Sequence, residues 1–136
     1  AKLMAIADEL GISSHVKFRG YLGNISEFLT GLDLFISSSL WEGLPTAILE
    51  AIMAGVPVLA TNIAGNRELI QDTKTGWLVP PADAQALARG ILQAYQHPEL
   101  CQLFAQEART ILPQFSIQTV AEQYARLYRQ LLAGKP

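Results

Sequence analysis

The stretch Asp33–Glu68, DLFISSSLWEGLPTAILEAIMAGVPVLATNIAGNRE, constrains this chain more than any other. The short apolar run DLFIS predicts a buried strand, and the loop SSLWEG follows it. A helix is expected to open at Pro45, because the missing N–H of a proline costs nothing at a first helical position. Gly55 is its expected stop. The helix body, Ala47 to Ala54, is apolar on every face except at Glu50, which predicts a helix packed on all sides between a sheet and other elements. A lone carboxylate in such a helix costs roughly several kcal/mol unless something hydrogen-bonds it. No basic residue lies within one turn of Glu50, so its partner is distant in sequence or is a ligand.

The start of that helix, Gly43-Leu44-Pro45-Thr46, presents free backbone N–H groups and the positive end of a helix macrodipole, a ready site for phosphate. Glu42 stands beside it. Glu42 in the loop and Glu50 inside the helix are placed to reach opposite ends of a diphosphate-linked ligand, and a nucleotide sugar has that shape: ribose, two phosphates, sugar.

At these residues the chain resembles the retaining glycosyltransferases of family 4 (glycosyl transferase group 1), which have the GT-B fold. Their hallmark pair of glutamates is matched by Glu42 and Glu50, SSSLWEGLPTAILEAIMAGVPVLAT follows the surrounding pattern, and the likeness runs on through NREL and TGWLVPP to the final helix. The resemblance implies that Glu42 is the catalytic residue that contacts donor-sugar hydroxyls, that the loop Gly43, Leu44, Pro45 and Thr46 meets the diphosphate through its amides, and that Glu50 holds the ribose hydroxyls. It implies a donor-binding role for Gly65 as well, although Ala64 stands where a second glycine is common in the family. Gly20 and Tyr21 border the nucleobase by the same resemblance, while a strand-end turn explains them equally well. The family is generally independent of divalent metal, so neither metal nor cofactor is expected beyond the nucleotide-sugar substrate.

The rest of the chain alternates helix and strand. Leu3, Ile6, Ala7 and Leu10 follow helical spacing with Gly11 as the stop, and VKFRG (Val16 to Gly20) reads as a strand. Asn24 and Glu27 form a capping-box pattern ahead of a helix with Ile25, Phe28, Leu29 and Leu32 as its buried stripe. After the central helix come the strand PVLAT (Pro57 to Thr61), a brief helix over Asn66 to Ile70, and the strand GWLV (Gly76 to Val79). Arg67 and Glu68 are expected to be a solvated or helix-start pair. Asp83 caps a helix burying Leu87, Ile91 and Tyr95; another carries Cys101, Phe104 and Ala108; Ser116 caps a final helix, 116–133, with Val120, Tyr124, Leu127, Tyr128 and Leu131 inward. This order predicts an α/β fold with a Rossmann-like parallel sheet whose ligand lies beyond the carboxyl ends of its strands.

Half of the 136 residues are hydrophobic, enough for a core, and the net charge of −2 with no basic stripe gives no reason to expect nucleic acid as a partner. The single Cys101 excludes an internal disulfide framework and favours a reducing, cytoplasmic setting. No apolar run approaches the roughly 20 residues of a membrane span. His15 and His97 read as surface residues, with no metal-ligand spacing around them. Trp41 is a loop anchor or a wall of the pocket, and Leu44 a possible plug.

In relatives the donor domain has six strands, of which the first two precede the first helix found here, so 1–136 is expected to be a partial donor-binding domain: the C-terminal half of a GT-B fold without its first two strands. An N-terminal acceptor domain, which could place the protein at a membrane surface, and the diphosphate-clamping basic residues lie in the absent part, so the isolated chain should not turn over. Two other readings keep the fold: a non-catalytic nucleotide-sugar binding or interaction module, and a GT-B nucleotide-sugar epimerase. With the usual order 3-2-1-4-5-6 the absent strands are central. The isolated chain is therefore expected to be poorly stable, and a sharp, high-temperature unfolding transition of the monomer by circular dichroism would count against the missing gap.

Overall fold

The computed structural model describes residues 2–134. Its elements in chain order are α1 (Lys2–Glu9), α2 (Ile25–Thr30), β1 (Phe35–Ser37), α3 (Thr46–Ala54), β2 (Val58–Thr61), α4 (Ala64–Arg67), β3 (Trp77–Val79), α5 (Ala84–Gln96), α6 (Pro98–Ala108) and α7 (Ile117–Ala133), with short 3-10 turns at Ser13–His15 and Arg109–Phe115. The three strands form one sheet in the order β1-β2-β3, all parallel. Helices cover it, as the alternating sequence requires, because parallel strands need a crossover between them.

Strand β2 sits in the middle and every one of its residues is buried. Its side chains alternate between faces with the period of two that a strand imposes. Val58 and Ala60 join one cluster with Ile48, Ala51 and Ile52 of α3, Leu69, Ile70 and Ala108, and the 109–115 turn closes that side through Ile111, Leu112 and Phe115. Leu59 points into the other cluster, with Trp77, Ala94 and Phe104. There the rings of Trp77 and Phe104 meet edge to face with centroids 4.8 Å apart. Gly90 lets α5 approach, since a Cβ at that position would stand 2.8 Å from Leu59 Cδ1.

Local capping follows the sequence. Asn24 Oδ1 accepts from the Glu27 N–H at 3.3 Å and Asn24 Nδ2 donates to Glu27 Oε2 at 3.0 Å. Asp83 accepts from the Ala86 N–H at 2.8 Å, and Ser116 from the Thr119 N–H at 3.1 Å. Gly55 ends α3 in the left-handed conformation at φ 77°, which glycine adopts without a Cβ penalty.

Several expectations are corrected. VKFRG is not a strand: residues 16–22 run irregularly, because no neighbouring strand among the described residues offers the ladder that an extended segment needs. The brief helix is α4, Ala64–Arg67, starting earlier than Asn66, and Pro45 is the residue before α3 rather than its first. Helix α3 is buried on one face only; Thr46, Ala47, Glu50 and Met53 are exposed. In α2 only Leu29 is buried, with Ile25 and Phe28 exposed. In α5 the small residues Ala86, Gly90 and Ala94 face the sheet, whereas Ile91 and Tyr95 are exposed, because the close approach at Gly90 leaves no room for large side chains. Helix α7 has no buried residue: Tyr124, Leu127, Tyr128 and Leu131 all face outward, and its neighbour is the 109–115 turn. These apolar faces match the sequence period but lack a covering element among the described residues.

No backbone N–H from residue 17 to residue 23 is hydrogen-bonded among the described residues. In hydrogen-exchange mass spectrometry, peptides covering 17–23 are expected to label within seconds while the β2 amides exchange slowest of all; comparable protection of the two would contradict the unpaired segment.

Candidate functional site

The carboxyl ends of β1 and β2 lead into the two loops that build the site. Beyond β1, residues 38–45 turn over the sheet edge and enter α3 at Pro45, which is buried and makes no side-chain cap. The first intrahelical bonds run from the Ile48 and Leu49 N–H groups to the Pro45 carbonyl, at 3.0 and 3.3 Å. The N–H groups of Thr46 and Ala47 precede that ladder and point out of the helix start, and no acid lies in its first turn. Since Pro45 has no N–H, the open amides here are those of Leu44, Thr46 and Ala47. Ala47 was not singled out by the sequence; a one-residue shift of the helix start brings it in.

Glu42 and Glu50 are both exposed, one before this terminus and one on the solvent face of α3. Glu50 is therefore not the buried, desolvated acid that an all-apolar helix implied, and no salt bridge engages it among the described residues. Ser39 Oγ donates to Glu42 Oε1 at 2.8 Å. Trp41 is 83 % exposed and Leu44 49 %. Trp41 therefore does not anchor the loop by burial.

Gly65 has a packing role that the sequence reading did not specify. It lies inside α4, and a Cβ there would stand 2.5 Å from the Gly43 carbonyl oxygen and 2.6 Å from that of Glu42. Its lack of a side chain lets α4 support the glutamate loop directly. Neighbouring Asn66 is wholly buried, and its Nδ2 donates to the Thr61 carbonyl at 2.8 Å. Arg67 does not pair with Glu68; it donates to the Asn62 carbonyl and side chain at 3.2 and 2.9 Å. Gly20, at φ 62°, stands in the irregular segment, apart from the glutamate loop, with no described atom beyond its chain neighbours within 4 Å of where a Cβ would lie.

Two other features lie apart from this edge. A cavity of about 510 Å³ is lined by Asp33, Pro57, Tyr95 and Cys101 among others. Asp33 and Pro57 precede β1 and β2, so this cavity is at the amino ends of the strands, where a parallel sheet does not place its ligand. Cys101 donates to the Ala94 carbonyl at 3.3 Å, and burial followed by the charge of Glu99 pushes its thiol up from the usual range, which marks a packing residue rather than a nucleophile. His97 is on the surface beside Glu99, at 3.1 Å. No group of three or more His, Cys, Asp or Glu among the described residues could hold a metal ion, and no helix there is long and apolar enough to cross a membrane.

The sequence profile described as glycosyl transferases group 1 matches residues 1–111. The chain belongs to this family. EpsD of Bacillus subtilis is 39% identical to this group 1 glycosyl transferase chain over 123 residues, 90% of this chain and 32% of EpsD. The lipopolysaccharide core biosynthesis glycosyltransferase LpsE of Rhizobium meliloti is 34% identical over 135 residues, 98% of this chain and 38% of LpsE. The chain thus spans about a third of the length of these relatives. Among solved structures, HepE of Anabaena in complex with UDP superposes with a TM-score of 0.89 at 28% identity, over 95% of this chain and 36% of HepE. The C-terminal domain of a group 1 protein, LpcC of Francisella tularensis, shares the fold with a TM-score of 0.76 at 24% identity, over 85% of this chain and 62% of that one. The fold is α/β, a parallel sheet flanked by helices as in the GT-B glycosyltransferases.

Substituting Gly65→Ala forces the Glu42–Gly43 carbonyls or α4 to move, and overpacking of this kind costs about 1–3 kcal/mol. A lowered melting temperature, with altered amide NMR shifts at residues 42–46, is the expected result; an unchanged melting temperature and spectrum would refute the close approach.

Proposed function

We propose that this chain is the donor-binding part of a retaining glycosyltransferase of family 4, in which a hexosyl group passes from a nucleoside diphosphate sugar to an acceptor. The observation that carries this reading is the start of α3: open amides, an acid-free first turn, and exposed carboxylates on either side at Glu42 and Glu50. Breaking the bond between the anomeric carbon and the diphosphate oxygen develops positive charge on the sugar and negative charge on the leaving group. Catalysis in this reading is mainly electrostatic. The amides of Leu44, Thr46 and Ala47 receive the leaving diphosphate, aided by the macrodipole.

Glu42 orients the sugar hydroxyls, while Glu50, about 6 Å further along the helix axis than Thr46, receives the ribose hydroxyls. Gly43 and Pro45 shape the turn between them. Gly65 serves the donor by supporting that turn, and Gly20 borders the nucleobase. Metal has no assigned role in this scheme, and retention rests on the likeness of the glutamate pair to the family. HepE is solved with UDP and with UDP-glucose, which supports a uridine diphosphate sugar as the donor class. LpsE, and the colanic acid biosynthesis relatives, support a place in polysaccharide assembly.

Residues 1–136 then stand for a partial donor domain. Among the described residues β1 has one edge without a paired strand and 16–22 has no ladder, which supports two further strands between them in the whole protein. A second domain supplies the acceptor site, the basic clamp for the diphosphate and any contact with a membrane surface, with the donor half on the cytoplasmic side.

In the protein that carries this chain, saturation-transfer NMR against UDP-, GDP- and ADP-sugars is expected to saturate one nucleotide's ribose and sugar protons. Glu50→Ala should weaken binding of the free nucleotide by about 10- to 100-fold, the scale of hydrogen bonds to a charged group. Glu42→Ala should leave free-nucleotide binding nearly intact and depress sugar transfer. Equal loss of free-nucleotide affinity in both variants would overturn this division, and mass spectrometry showing conversion of the donor sugar without any acceptor would replace transfer by epimerisation.

A further inference from the structure

Glu42 is an exposed acid on a loop, and a side chain with its rotational freedom orients a substrate poorly unless something holds it. One oxygen is held: Ser39 Oγ donates to Glu42 Oε1 at 2.8 Å, a hydrogen bond strengthened by the charge of its acceptor. Ser39 is fixed in turn, because its carbonyl accepts from Thr61 Oγ1 at 2.5 Å, across the gap to the end of β2. Thr61 is 3 % exposed, and both its carbonyl and its hydroxyl accept from Asn66 Nδ2, at 2.8 and 3.2 Å. Asn66 is wholly buried in α4, next to the Gly65 backbone that abuts the Glu42 and Gly43 carbonyls.

This arrangement is not an economical way to build a core. Burying an asparagine and a threonine where apolar side chains would pack costs desolvation, and Asn66 Oδ1 finds no donor among the described residues. The polar groups instead run in one direction, from α4 through the end of β2 to the loop after β1, and terminate on a single solvent-facing carboxylate. We propose that Ser39, Thr61 and Asn66 are positioning residues that fix the Glu42 carboxylate for the donor sugar. Ser39 sets its rotamer directly, and the Thr61–Asn66 pair holds the Ser39 backbone. This deepens the proposed function and rests on its assignment of Glu42 to the sugar.

The test uses the full-length protein that carries this chain, with UDP and UDP-glucose as probes. UDP affinity is read by calorimetry, and the rate of donor cleavage is read as hydrolysis of UDP-glucose, in which water takes the glucosyl group to give glucose and UDP leaves. Ser39→Ala should slow donor cleavage by about 10-fold or more, the cost of a misplaced group. UDP affinity should stay within about 2-fold, since the loop amides are untouched. Ser39→Thr, which keeps the hydroxyl, should recover most of the rate. In a Glu42→Gln background the further change Ser39→Ala should cost nothing more, because residues acting through one contact are not additive. Thr61→Val should slow cleavage in the same direction, with melting curves identifying any general loss of fold.

Parallel losses of UDP affinity and cleavage rate in Ser39→Ala, or additivity with Glu42→Gln, would reduce the network to loop scaffolding and overturn the inference. So would an unchanged rate in Ser39→Ala alongside a slowed Glu42→Gln. If Glu42→Gln itself leaves donor cleavage unchanged, it is the assignment of Glu42 to the sugar that fails, and the inference falls with it.

Discussion

Strand β2 is paired on both edges and buried on both faces, and the neighbouring elements are placed by those four contacts. Its edges fix the register of β1 and β3. Its faces demand apolar cover, which α3 and the 109–115 turn supply on one side and α5 with α6 on the other. As the central parallel strand it is covered on both faces, because crossovers put a helix on each, and its sequence is apolar up to Thr61. The crossover from β1 to β2 is the segment that carries the glutamate loop and α3, so the core requirement of β2 decides where the start of α3 lies.

The loop after β1 is then under two opposing demands. Its amides and carboxylates must stay open to solvent to serve a ligand, yet an unsupported loop holds no geometry. The structure meets both by supporting the loop from beneath with backbone and small polar groups: the Gly65 backbone against the Glu42 and Gly43 carbonyls, and Thr61 Oγ1 against that of Ser39. Large side chains are absent from the contact because they would lift the loop. The exposed residues Trp41, Leu44, Glu42 and Glu50 are left facing outward above this support.

Much of the fold is legible along the chain. The apolar runs at 35–37, 58–61 and 77–79 are short, flanked by turn residues and too brief for helices, and all three became strands. The caps at Asn24, Asp83 and Ser116 are local hydrogen bonds, so the residues that make them suffice to announce them. Helical periodicity also showed which face of α2 and α7 is apolar, but not whether that face is covered. In α5 the stripe of Ala86, Gly90 and Ala94 won over the larger Ile91 and Tyr95, because Gly90 brings the helix too close to Leu59 for bulk. VKFRG has strand composition, yet a strand exists only against a partner, and composition does not supply one.

For the candidate site, Glu42, Glu50 and the start of the helix lie close together in sequence, so their neighbourhood was legible there, while the roles given to them came from the family resemblance. By itself the sequence determined the alternation of helix and strand from Asp33 onward, the place of the helix at the site to within one residue, and the acids on either side of its start. Only the tertiary structure decided that Glu50 is exposed rather than buried, that Ala47 joins the open amides, and that Ser39, Thr61 and Asn66 converge on Glu42. Those facts depend on contacts between β1, β2 and α4, segments separated along the chain, and periodicity carries no information about which distant backbone will pass within hydrogen-bond reach.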